Sequence, residues 1–220
     1  MRGDARDIPA RVTGEDPLAP LRGFYARAGL VPPAIEPCDP LEMPAGARAL
    51  LVHDGDMTPT LEAYHGEALT LRVLDSRLEG ASCFVREVVL LTRDTGRAVE
   101  FGAIRIHLDA FPAQARHDVL ACRRPLGGLL TDHGIPHASA PTLFFRLWAD
   151  EVVRGALGLT GEPVLFGRCN TLRDPGGRTL AQVVEVLPPV GPTLGPSPDG
   201  PYPASAGWGG ARLPVHPGPS

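Results

Sequence analysis

The chain has 220 residues, 43% of them hydrophobic, and a formal net charge of −4 from 21 basic and 25 acidic side chains. This length supports one domain of ordinary size with tails, and the charge balance excludes a general polyanion binder, which needs clustered excess positive charge. Every basic residue is Arg, so no lysine amine is on hand for Schiff-base chemistry and each inward-facing base is a fixed cation.

From the N-terminus, residues 1–45 are broken by prolines from Pro9 to Pro44 and leave room for one short helix around Leu21 to Ala28. This reads as an arm or linker, without the periodic helices of a DNA-reading domain. Asp56 or Thr58 can then cap a helix with Pro59 in its first turn, which Gly66 ends. Glu67 to Asp75 alternates as a strand, and Ser82 to Arg93 turns back at Asp94-Thr95-Gly96 into Val99 to Leu108 as a hairpin. Arg86 shares one strand face with Phe84 and Val88, and Glu87 shares the other with Val85 and Val89. Both faces are mostly apolar, which places this strand inside its sheet; an Arg there is either a buried ion-pair member or a ligand anchor.

Pro112 to Arg123 has a helical pattern, and Pro125-Leu126-Gly127-Gly128 begins another helix whose glycines allow close backbone approach. His133 and His137 in HGIPH have ligand-like spacing, but Gly134 and Pro136 spoil the helix a metal pair needs, so the segment reads as a loop. Thr142 to Trp148 is a strand or a helix start, and Ala149 to Leu157 a helix. Pro163 to Pro189 is a second hairpin turning at Asp174-Pro175-Gly176-Gly177. Each arm carries a charge among apolar neighbours, Arg168 on one and Glu185 on the other, and a charge aimed at a core needs a partner or a ligand. Residues 190–220 are rich in Pro and Gly and read as a disordered tail despite Tyr202 and Trp208.

Cys38, Cys83, Cys122 and Cys169 are scattered without a C-x-x-C pair, and neither a secretory signal nor a membrane-length apolar run is visible. The pattern predicts reduced thiols in a cytoplasmic protein with no membrane and no nucleic-acid partner. The sum is an α+β domain over residues 46–189: an antiparallel β-sheet of hairpins with inserted helices.

In order, LLVHDGDMTPTLEAYHG, VREVVLL before a hairpin, PLGGLL, a Gly-Arg strand, a Gly turn and VVEVLPP resemble the chorismate pyruvate-lyase family over about residues 50 to 189. The resemblance implies the chorismate lyase (UTRA-like) fold. It also implies elimination of pyruvate from chorismate to give 4-hydroxybenzoate, a carbon-oxygen lyase reaction of aromatic acid and ubiquinone biosynthesis that requires no cofactor or metal. Met57, Arg86, Leu126 and Glu185 fall on the family's site positions. Arg86 would anchor a carboxylate of the dicarboxylate substrate, Glu185 would move the proton, Met57 would form apolar wall, and the backbone of Leu126 and Gly127 could hold a carboxylate. Arg168 either binds the second anionic group or pairs with Glu185. The same fold serves as the effector-binding domain of GntR-type regulators, so a non-catalytic binder of a small carboxylate is the alternative.

Overall fold

A computed structural model describes residues 16–190; the tail expected from residue 190 lies outside the described residues from 191 onward. Seven strands, β1 (Ile35–Pro37), β2 (Leu69–Glu79), β3 (Cys83–Thr92), β4 (Ala98–His107), β5 (Ala138–Trp148), β6 (Val164–Arg173) and β7 (Thr179–Leu187), form one sheet in the order β1-β5-β6-β7-β4-β3-β2. Every neighbouring pair is antiparallel. Six helices are set between them: α1 (Ala19–Ala28), α2 (Ala45–Leu51), α3 (Met57–His65), α4 (Ala113–Leu120), α5 (Leu126–Asp132) and α6 (Glu151–Leu157). The chain is α+β, as the hairpin pattern predicts.

Local chemistry sets the boundaries. Gly66 and Gly158 end α3 and α6 in the left-handed region at a φ of 67°, and Asp150 accepts the Val153 amide at 2.9 Å to begin α6. Pro125 is the N-cap of α5 rather than its first residue. Between Thr142 and Trp148 the strand alternative holds, and the strand begins earlier, at Ala138. The α2 helix is absent from the expectations, because AGARALL is short and lacks a side-chain cap.

The sheet is covered on both sides. On one face Val89, Phe101, Ala103, Phe145, Val184 and Val186 pack beneath α1 and α6. On the other, α4 and α5 cover Phe84, Val88, Ile104 and Val183, while α2 and α3 cover Leu69, Leu90 and Leu187. The boundary expected at residue 46 therefore runs through the packed unit. Leu21, Phe24 and Tyr25 of α1 are core residues, and β1 joins β5. Pro20 lies in the first turn of α1, where its missing amide costs no helical hydrogen bond.

Two positions on the α1 face make measurable predictions. A Cβ at Gly167 would run into the Glu185 carbonyl oxygen and the Phe145 ring, with Cζ at 2.5 Å. Gly167→Ala is therefore expected to lower unfolding free energy by about 3 kcal/mol in denaturant titration. Glu87 is fully buried, with one carboxylate oxygen receiving Arg27 Nη2 at 2.7 Å and the other without a partner among the described residues. Burial outweighs Arg27 and pushes its carboxyl up from 4.5 to about 7. The folded state thus holds a proton that the unfolded chain releases, so this contribution to stability is greatest below pH 4.5 and declines as pH rises towards 7. Unfolding of the wild type and Glu87→Gln, compared at about pH 5 and about pH 8, should show the wild type losing about 2 kcal/mol relative to the variant.

Candidate functional site

Strand register brings the charged residues of the helix-covered face together. Across β3 and β4, Arg86 stands opposite Ile104, Val88 opposite Gly102 and Leu90 opposite Glu100. Gly102 and Ile104 in turn stand opposite Glu185 and Val183 of β7, and these opposite Arg168 and Asn170 of β6. Alternate residues of a strand share a face, so Arg86, Glu100, Glu185, Arg168 and Asn170 all project to one side. Gly102 lies in their midst without a side chain, leaving a hollow bordered by Val88 and Glu185.

The first turns of α3 and α5 close over this hollow. Gly127 brings the two helices together, since a Cβ there would meet Thr58 Oγ1 at 3.2 Å; this is the close approach its sequence suggests. The resulting cavity encloses about 40 Å³, room for about three water molecules. Met57, Arg86, Leu126, Gly127 and Glu185, all named as candidates from the sequence, line it. Glu100, Asn170 and Thr58 also line it and were not among those candidates. Neither α3 nor α5 has a side-chain cap on its first-turn amides.

Arg86 and Arg168 are both buried at 0% exposure, but their surroundings differ. Arg168 has a partner on every nitrogen. Its Nε donates to Glu185 Oε2 at 2.5 Å, Nη1 donates to the carbonyls of Leu51 and His53 at 3.1 and 2.8 Å, and Nη2 donates to Gly55 O at 3.0 Å. It does not line the cavity; of its two sequence alternatives, the structure forms the ion pair with Glu185. Arg86 has one long bond, Nη2 to Arg124 O at 3.4 Å, and its Nε and Nη1 have no hydrogen-bond partner among the described residues. Burial lowers its affinity for its proton, partly offset by the nearby Cys122 sulfur. Glu100 Oε2 and Asn170 Oδ1 are also buried without partners among the described residues. Such atoms are rare in folded proteins, and here those of three residues meet at one cavity.

The two carboxyls differ as well. Glu185 is raised by burial, with Arg168 opposing the rise. Glu100 is raised well above the usual carboxylate range by burial and by the charge of Glu185. Since Arg168 touches Glu185, Glu185 is the more acidic of the two.

Beside the cavity, His137 Nε2 meets Asp56 Oδ2 at 2.8 Å and its Nδ1 meets Ile135 O at 2.9 Å. Burial lowers the imidazole pKa, but the Ile135 carbonyl and Asp56 together carry it above the usual value. His133 pairs separately with Asp118 at 2.8 Å. HGIPH is thus a loop held by two acids. Among the described residues no group of three or more His, Cys, Asp or Glu could hold a metal ion, and no helix is long and apolar enough to cross a membrane.

No family model and no curated protein matches the chain. Among solved structures it is similar to PhnF from Mycobacterium smegmatis, at 15% identity and a TM-score of 0.49, covering 62% of this chain and 64% of that one. It therefore spans just under two thirds of that protein's length. The separate effector domain of PhnF gives 14% identity and a TM-score of 0.48, with 62% of this chain and 90% of that domain covered. A GntR-family transcriptional regulator from Bacillus cereus gives 10% identity and 0.41, over 54% of this chain and 90% of that one.

Proposed function

We propose that this domain binds a small organic acid in the cavity beneath α3 and α5, and that Arg86 anchors the acid's carboxylate. One observation carries the reading: a fully buried guanidinium whose Nε and Nη1 have no hydrogen-bond partner among the described residues lines that cavity. A buried cation of this kind is costly unless something anionic completes it, and its free Nε and Nη1 N–H groups can donate charge-assisted hydrogen bonds to carboxylate oxygens. Met57 and Leu126 supply adaptable apolar wall. A ring-sized acid is larger than this cavity, and its entry requires α5 to part from α3 at the Gly127–Thr58 contact. The role is that of a non-catalytic binding module, as in the effector domains of GntR-type regulators.

A second reading, pyruvate elimination from chorismate, draws on Glu185, which lines the same cavity and could move a proton. Two features favour binding over this chemistry. Arg168 opposes the rise that burial gives Glu185, which works against general-acid action, and it is already engaged with Glu185 and three carbonyls, so Arg86 is the one cation among the described residues that line the cavity for a dianionic substrate.

Calorimetric titration with benzoate tests the binding site: saturable binding by the wild type, lost in Arg86→Met, is expected. Incubation with chorismate, followed by chromatography for pyruvate and hydroxybenzoate, tests the chemistry. Equal release of both products, abolished in Glu185→Gln, would replace the binding module with the lyase. Absence of benzoate binding and of turnover would overturn both readings.

A further inference from the structure

We infer that Glu100 is a second ligand-reading side chain of this cavity, and that with Arg86 it selects a singly charged acid bearing a hydroxyl over a dianion. This rests on the cavity being an acid site.

The geometry begins with Gly102. A Cβ at that position would come within 3.2 Å of Glu100 Oε1, so the Glu100 carboxyl reaches along β4 into the space the glycine leaves. Arg86 and Glu100 lie two alternate rows apart on adjacent strands, about 13 Å along the ladder. Their side chains thus approach the cavity from rows four residues apart. Glu100 is 4% exposed, lines the cavity and has no partner for Oε2 among the described residues.

Charge decides what Glu100 can do there. The groups facing it from the surrounding elements are Arg86 of β3, Glu185 of β7, Arg168 of β6 and Asp56 at the start of α3. Asp56 is engaged by His137, and Arg168 by Glu185 at 2.5 Å. Two neighbouring buried carboxyls thus share one cation, and that cation touches Glu185. A buried carboxyl without its own counter-charge keeps its proton, and burial and Glu185 both act on Glu100 in that direction. A protonated carboxyl donates a hydrogen bond that a carboxylate cannot. A ligand hydroxyl could accept that bond from Glu100. With Arg168 paired to Glu185 and Glu100 held towards its neutral form, Arg86 is the cation without an ion-pair partner among the described residues that line the cavity. It balances a single carboxylate.

Three para-substituted probes of matched shape test this: benzoate, 4-hydroxybenzoate and terephthalate, titrated into the wild type, Glu100→Gln and Glu100→Leu. The wild type should prefer 4-hydroxybenzoate to benzoate about ten-fold and bind terephthalate weakest. Glu100→Gln, neutral and still a donor, should keep the hydroxyl preference, and Glu100→Leu should lose it while still binding benzoate. Infrared spectra should show a protonated-carboxyl band at neutral pH that disappears in Glu100→Gln. Benzoate binding that depends on Arg86, but with no hydroxyl preference or with one that survives in Glu100→Leu, overturns this inference alone, as does absence of the carboxyl band. Failure of all three probes to bind the wild type overturns the acid site and this inference together.

Discussion

Replacing Arg86 with Met is expected to raise unfolding free energy by about 2 kcal/mol while abolishing benzoate binding. The stabilisation comes from removing a cation that is fully buried and has no hydrogen-bond partner among the described residues on Nε and Nη1; such a group burdens the fold, and an apolar side chain of similar length removes the burden. Met follows much of the same unbranched path between Phe84 and Val88 and adapts to what space remains. What is lost inside the protein is one 3.4 Å bond to the Arg124 carbonyl and the interaction with the Cys122 sulfur. Denaturant unfolding without ligand reads the stability, and titration reads the binding. A lower unfolding midpoint would show that Arg86 serves the fold, and the argument for a ligand would fail with it.

Arg168→Met should act in the opposite direction and cost about 4 kcal/mol, because it leaves the buried Glu185 carboxylate without its partner. It also releases the carbonyls of Leu51, His53 and Gly55, which Arg168 ties to the middle of β6. These residues link α2 to α3, so the covering helices should loosen along with the sheet. Adding Glu185→Leu to Arg168→Met should recover much of the loss, since the two side chains form one unit and their effects are not additive. Thermal unfolding of the two single variants and the double variant checks this; equal, additive losses would mean that the pair contributes little.

The difference between these arginines marks how far the sequence could be read. Period-2 alternation placed Arg86, Arg168 and Glu185 on apolar strands, and the Asp174–Gly177 turn set the hairpin whose register puts Arg168 opposite Glu185. The fold class followed from the turns. Which arginine would be left unpartnered did not, because the carbonyls that accept from Arg168 lie more than 110 positions earlier in the chain. Glu100 could have been found: AVEFGAI sets a charge among apolar neighbours, the same signal that exposed the other three, with a glycine two residues later to give it room. The N-terminal prolines make the segment read as an arm; the helix expected around Leu21 to Ala28 is α1, but its place in the core is missed. They flank an apolar helix face that has nothing to bury against until β3, β4 and β7 assemble beneath it.

The two rims of the sheet bear on how copies of this chain behave at high concentration. An uncovered strand is a template on which a second molecule can add its own, the first step towards fibrous aggregates. At one rim β1 is three residues long, ends in Pro37 and follows Pro32 and Pro33. At the other, β2 carries Arg72, Asp75, Arg77 and Glu79, and its ladder with β3 shifts between Val73 and Asp75. One rim is too short to guide an incoming strand and has few amides to offer it. The other meets it with alternating charge on a kinked backbone. Lateral addition of a strand is disfavoured at β1 and at β2.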